Sequence, residues 1–272
     1  MSIVVPDRGF IFGSQIFGGD AGILGGRRRG PSLPADLVAL LATEPTALVQ
    51  FRYNFLAGRH VLFQDPPCTV PVEEDGDPIG GIIQPSLTLP PSEWSIVGVQ
   101  GTDAKRPVWG GVEVGAVFDG AQNLALDSSW QRNPGQPSTW VYREYHPDDR
   151  NQVIGGWSAA ANTDVAYAFY YRISNGIIQR VGTGGTSLVE DVIPHDTTNT
   201  FSVRNDTTNY TARVNGTDIQ TRATGTQDGD PTIDASLGSL AGDTQFFIGE
   251  IQFAVMFDRS LSVSDLQRLE AL

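Results

Sequence analysis

Near the carboxyl-terminal end the apolar residues fall at even spacing. Phe247, Ile251, Phe253, Val255 and Phe257 keep the two-residue period of a strand with one buried face. An Asp258-Arg-Ser-Leu turn follows. A short helix comes next, which Ser262 or Ser264 can cap and to which Leu266 and Leu269 give one apolar edge. Alternation or short apolar runs predict further strands at 48–56, 61–64, 94–100, 112–118, 139–145, 152–157, 167–173, 177–181, 200–205, 210–214 and 217–221. Asn175-Gly176 and Asn215-Gly216 are hairpin signals, because a type I′ turn needs positive φ at both central residues. No helical period is legible from residue 48 to residue 261.

Before the strands, Ser32 to Ala42 reads as a helix. Ser32 can cap it, Pro34 suits its first turn, and Asp36 complements its dipole. Leu37, Leu40 and Leu41 share a face, and Pro45 ends the element. Residues 1–33 are different. Ile3 and Val5 could extend a strand edge, but Gly-rich surroundings break any period around Phe10, Phe12, Ile16 and Phe17. Such a segment cannot bury its own apolar side chains and wants another surface. About thirty residues reach roughly 100 Å when extended. The alternative is that the arm folds back over its own sandwich. The domain plan is a docking arm over 1–33, a linker helix over 34–47 and a sandwich over 48–272.

Composition narrows the class. With 31 Gly, 17 Pro and many Thr, Asn and Asp, the chain has the make-up of short strands joined by tight turns. Its 272 residues suit one large sandwich. At 18% charged and 40% hydrophobic it is a globular composition. A net charge of −13 repels nucleic-acid backbones and anionic membranes. Against that charge Arg27, Arg28 and Arg29 form one basic patch, suited to an acidic partner surface rather than to nucleic acid. Cys68 is the single cysteine, so no intrachain disulfide forms. No run of 18 apolar residues and no signal peptide is present, so neither membrane insertion nor export is expected.

Candidate chemistry is sparse. His60, His146, His195 and Cys68 lack the sequence context of a nucleophile and its base. Paired carboxylates for glycoside hydrolysis are best approached by Glu73-Glu-Asp-Gly-Asp77, which reads as a turn, and by Glu144, read as a loop residue without a partner two positions away. No enzyme is therefore expected. Asp75 with Asp77, and Asp228 with Asp230, could offer carboxylates to Ca²⁺, but Asp-Gly-Asp-Pro is also a good turn; no cofactor is expected beyond that. Aromatic residues concentrate between 130 and 171, where alternation puts Trp140, Tyr142 and Glu144 on one face and Val141, Arg143 and Tyr145 on the other. Stacking platforms for a glycan are sought at Trp109, Trp130 and Tyr145.

Two groups of motifs carry a family resemblance. Gly249-Glu-Ile251 with Asp258-Arg-Ser-Leu-Ser262 resembles the close of the laminin-G/concanavalin-A-like sandwich family. Leu62-Phe-Gln-Asp65, Asp75-Gly-Asp-Pro-Ile-Gly80, Lys105-Arg-Pro107, Phe118-Asp-Gly-Ala-Gln-Asn-Leu124 and Val214-Asn-Gly216 occur in the order seen in its bacteriophage-encoded members. The likeness spans roughly 48–272; Ile83 to Pro90 departs from it, being less polar. It implies an all-β, two-sheet antiparallel jelly-roll sandwich with an N-terminal arm, a linker helix and a short C-terminal helix. It further implies a virion component made in the host cytoplasm, tail-associated as a fibre or tail-tip accessory. Its arm would dock on other virion proteins, and several copies would offer loops to a cell-surface glycan. A capsid decoration or head-fibre protein, and a glycan-cleaving hydrolase, are the alternatives.

Overall fold

The structure is a computed structural model that describes residues 33–130, 136–147, 152–159, 164–172, 176–181, 196–223, 235–239 and 246–272. The expected docking residues Ile3 to Arg29, the capping residue Ser32, the Asn175 turn, and Asp228 and Asp230 lie outside these residues.

In chain order come α1 (Ala35–Leu41), β1 (Ala47–Gln50), β2 (Phe55–Leu56), β3 (Arg59–His60), β4 (Leu62–Phe63) and β5 (Gly81–Ile83). Next are β6 (Ile96–Val99), β7 (Val108–Trp109), β8 (Ala116–Asp119), β9 (Leu124–Leu126), β10 (Ser138–Tyr145) and β11 (Gln152–Ala159). Then follow β12 (Asp164–Arg172), β13 (Gly176–Val181), β14 (Thr198–Asn205), β15 (Asn209–Val214) and β16 (Thr217–Ala223). Last are β17 (Ala235–Leu237), β18 (Ile248–Phe257) and α2 (Val263–Glu270). One sheet has the order β16-β15-β14-β10-β18-β8-β7, with β1 pairing β18 beside β8; the other runs β13-β12-β11-β17-β9-β6-β5-β4. All of these pairings are antiparallel. From β8 through β11 the chain alternates between sheets, and it does so again at β17 and β18. This is a two-sheet antiparallel jelly-roll sandwich, as expected.

The inner layer follows from strand period and register. Trp140, Tyr142 and Glu144 lie directly opposite Val203, Phe201 and Asn199 on β14, so all six share a face. Each is buried. Trp130, from the other sheet's side, meets Trp140 with ring centroids 5.9 Å apart. Phe118 and Phe247 meet edge to face at 6.0 Å.

The even spacing of the last strand is broken once. Arg143 pairs with Phe253 but Glu144 pairs with Ile251, which leaves Gln252 as the extra residue of a bulge. Ile251 therefore faces inward and Phe253 outward, correcting the single-face expectation. From Phe253 to Phe257 every residue is buried, and at Phe253 α1 covers the outer face. Leu37 and Leu40 of α1 close over Gln50 and Phe253 around a small cavity. Glu270 of α2 accepts from Arg213 Nε at 2.9 Å and from Ser202 Oγ at 3.0 Å.

Several local expectations change for visible reasons. Pro34 is the N-cap of α1, one position before the first helical turn, and makes no side-chain cap. Ser262 is the cap of α2, accepting from Asp265 N at 3.1 Å. The predicted strand 48–56 stops at Gln50, whose side chain bonds both the N–H and the carbonyl of Tyr53 and turns the chain. The strand expected from residue 112 begins only at Ala116, after a turn closed by Gly115 N to Gly111 O at 2.8 Å. Asn215 and Gly216 have φ of 48° and 82°, as a type I′ turn demands. Short 3₁₀ turns at Pro91–Glu93, Asp103–Lys105 and Ser128–Trp130 interrupt the all-strand expectation.

The motifs that carried the resemblance bond to one another. Gln64 Nε2 donates to Asp77 at 3.2 Å, Ile79 N to Pro107 O at 2.7 Å, and Trp109 N to Asp77 O at 2.8 Å. Arg259 donates to the carbonyls of Thr43 and Glu44, and Thr139 Oγ1 links Arg259 O to Leu261 N. They hold the edges and ends of the sheets.

Arg213 and Glu270 are almost fully buried, and the bond to Glu270 holds the Arg213 guanidinium above its ordinary pKa. Arg213 also donates to the exposed Asp218 and to the Gly216 carbonyl, so losing Glu270 removes its one buried counter-charge. E270A is expected to cost about 3 kcal/mol in urea unfolding; a loss below about 1 kcal/mol would show that α2 is not pinned by this pair.

Candidate functional site

Among the described residues the roomier of two clefts is built by the segment joining β5 to β6. Pro85, Pro90 and Pro91 deny it a ladder of N–H groups, so it leaves the sheet. Ser86 Oγ accepts from Thr88 N and Leu89 N at 3.1 and 3.2 Å, making a tight turn. Trp94 Nε1 donates to Leu89 O at 3.1 Å and draws the segment back on itself. Arg59 of β3 clamps it from outside by donating to the carbonyls of Pro91 and Trp94.

The cleft has a volume of about 270 Å³ and is lined by Thr46, Gln84, Ser86, Leu89, Trp94, Ser95, Val97, Asp127 and Ser129. It opens where the start of β1 in one sheet meets β6 in the other. Val97 and Trp94 are buried and form the apolar part. Gln84 Oε1 accepts from Leu48 N at 2.9 Å, which fixes the side chain and leaves its NH₂ free to donate. One oxygen of Asp127 accepts from the N–H and hydroxyl of Ser129; the other remains an open acceptor. The exposed Ser95 hydroxyl can do both. A small apolar pocket with a few fixed donors and acceptors suits a compact polyhydroxylated ligand.

The structure places the sequence-derived candidates elsewhere. Trp109 and Trp130 are buried, which corrects their reading as exposed stacking platforms. Trp109 Nε1 donates to Phe51 O at 2.7 Å, and Trp130 is core against Trp140. Tyr145 is half-buried at the end of β10, its hydroxyl 3.4 Å from Asp196 Oδ1. Asp77 Oδ2 accepts from Glu73 N, Glu74 N and Gln64 Nε2, the bonding of a turn residue, while Asp75 is exposed. Among the described residues no group of three or more His, Cys, Asp or Glu could hold a metal.

Glu144 is not a loop residue. It lies within β10, buried, with His146 Nδ1 3.0 Å from Oε2, so the partner two positions away exists and is a histidine. Both face the interior. Burial, helped by Asp65, pushes the Cys68 thiol up to about 11, so at neutral pH it is protonated and a poor nucleophile. Among the described residues no helix is long and apolar enough to cross a membrane.

No protein-family model matches the chain, and no curated protein matches it. Among solved structures it is similar to a mutant of the NanB sialidase from Streptococcus pneumoniae, at 17% identity and TM-score 0.47, over 56% of this chain and 26% of that one. It is similar to the CBM40 of the Ruminococcus gnavus IT-sialidase bound to alpha2,3 sialyllactose, at 17% identity and TM-score 0.42, over 50% and 82%. Domain 4 of AbnA, a GH43 extracellular arabinanase from Geobacillus stearothermophilus in complex with arabinotriose, gives 16% and 0.46, over 57% and 75%. The chain thus spans about a quarter of the sialidase. At such scores the fold assignment rests on this chain's own strand order.

If Asp77 serves the turn, D77A loses an acceptor shared by three N–H groups and is expected to cost about 2 kcal/mol. Calcium should leave the Tm of the unaltered protein unchanged. A calcium-dependent rise in Tm that D77A abolishes would restore the metal reading.

Proposed function

We propose that the chain is a glycan-binding sandwich that takes a saccharide in the cleft beneath the β5–β6 segment, and that it binds without cleaving. The observation that carries this reading is the cleft itself: exposed Leu89 supplies an apolar wall, while Gln84, Ser95 and Asp127 present uncommitted hydrogen-bonding capacity around it. Sugar hydroxyls both donate and accept, and the apolar side of a pyranose lies well on an aliphatic patch. The segment that builds the cleft is also where the sequence leaves the family pattern, as expected where a shared scaffold carries its own specificity.

The wider setting is a tail-associated component of a bacteriophage particle. The order of motifs from Leu62 to Ser262 supports it, as does the apolar, Gly-rich character of residues 1–33. In that setting the arm docks on other virion proteins and several copies act together, so weak single-site affinities sum.

A glycan array probed with the multivalent protein is expected to give a saccharide hit. S95W, which fills the cleft mouth from an exposed position, should reduce that signal at least about tenfold with Tm unchanged. Equal binding by S95W would move the site elsewhere, and an array without hits would leave a structural role. Separately, a chain lacking residues 2–30 should fold with an unaltered Tm yet fail to enter particles; normal incorporation would refute the docking arm.

A further inference from the structure

The outer face of the β10 sheet holds a cation that the fold does not neutralise. β10 runs between β18, which α1 covers, and β14, which α2 covers. Arg143 points to that outer face, opposite Thr200 on one side and Phe253 on the other. A guanidinium has five N–H groups. Two are used: Nε donates to Gln252 Oε1 at 2.8 Å and Nη1 to Thr200 Oγ1 at 3.4 Å. Three therefore remain, five less two, including both on Nη2. Both partners are neutral oxygens.

Among the described residues no carboxylate lies within ion-pair distance of Arg143. Its neighbour Arg52 adds repulsion, and burial together with Arg52 pulls the Arg143 pKa down. Arg52 and Arg213 are matched, with Asp36 at 2.8 Å and Glu270 at 2.9 Å, and Arg204 and Arg259 spend N–H groups on backbone carbonyls. A half-buried, unmatched guanidinium is costly to hold, and the chain carries 31 acidic residues against 18 basic ones. The arrangement pre-positions the guanidinium edge for a planar anion.

What surrounds it selects the anion. Tyr145, two residues on and on the same face, is half-buried and offers a ring. Glu250 lies opposite Tyr145 in register, and Asp196 meets the Tyr145 hydroxyl. Negative charge is thus excluded from the tyrosine end and favoured at the arginine end. We infer that Arg143, Thr200, Gln252 and Tyr145 form a second binding site, for the carboxylate of an acidic saccharide whose neutral ring lies over Tyr145. The site is on a different face from the cleft under the β5–β6 segment and does not depend on it.

The test is an NMR titration of the full chain, following the Arg143 Nε–H and Tyr145 amide signals. D-glucuronate or N-acetylneuraminate should shift both saturably, and D-glucose should not. R143K keeps the charge but loses the planar fork, so its Kd, read from the Tyr145 amide, should rise at least about tenfold with Tm unchanged; R143Q should abolish the Tyr145 shift. S95W should leave them as they are, which separates this site from the cleft. Shifts from neither acid, equal shifts from glucose, inorganic sulfate binding as tightly as the acids, or undiminished binding by R143K would overturn the assignment.

Discussion

β18 is buried on both faces from Phe253 to Phe257, and a strand so placed must be sheathed on every side. β10 pairs along one edge; β1 and β8 divide the other. The inner face has the opposite sheet. The outer face of this sheet has no second sheet to meet: α1 lies over β18 at Phe253 and α2 over β14, where the Arg213–Glu270 pair fastens it. At the bulge the strand changes which side chains it sends outward. That single extra residue, Gln252, accepts from Arg143, which stands opposite Phe253 at the edge of the covered part of the face.

The sequence disclosed most of this scaffold because strand period and turn chemistry are local. Asn215-Gly216, the capped terminal helix and the alternation of Trp140, Tyr142 and Glu144 are each settled by residues a few positions apart. The bulge was not visible, since nothing within β18 distinguishes Gln252 from a regular outward residue; only the partner strand does. Gln50 was read as one more strand residue, because the bonds its amide makes to Tyr53 are not written in hydrophobic pattern. Short β5, β7, β9 and β17, two or three residues each, carry too little period to be legible.

The site was harder to read than the fold. Trp109 and Trp130 stand beside glycines and prolines in sequence, which suggested exposed loops, yet a large aromatic next to a turn often caps a sandwich core, and both do so here. Glu144 and His146 are two apart at the end of a strand, a spacing that does signal a shared face. Gln84, Ser95 and Asp127 come together only because β5, β6 and the turn after β9 adjoin in the second sheet. The one available hint was the loss of polarity over 83–90, where the order of recognisable motifs gives way to Leu87 and Leu89, both exposed. The motifs that were recognisable turn out to hold the scaffold together, and the unrecognisable stretch shapes the cleft.

A crystal structure with an array-selected oligosaccharide tests most directly whether that cleft is a saccharide site. The expected result is a sugar ring against Leu89 with hydroxyls bonded to Gln84 and Asp127. Sugar density found only on other surfaces, with ordered solvent filling the space beneath Leu89, would contradict it.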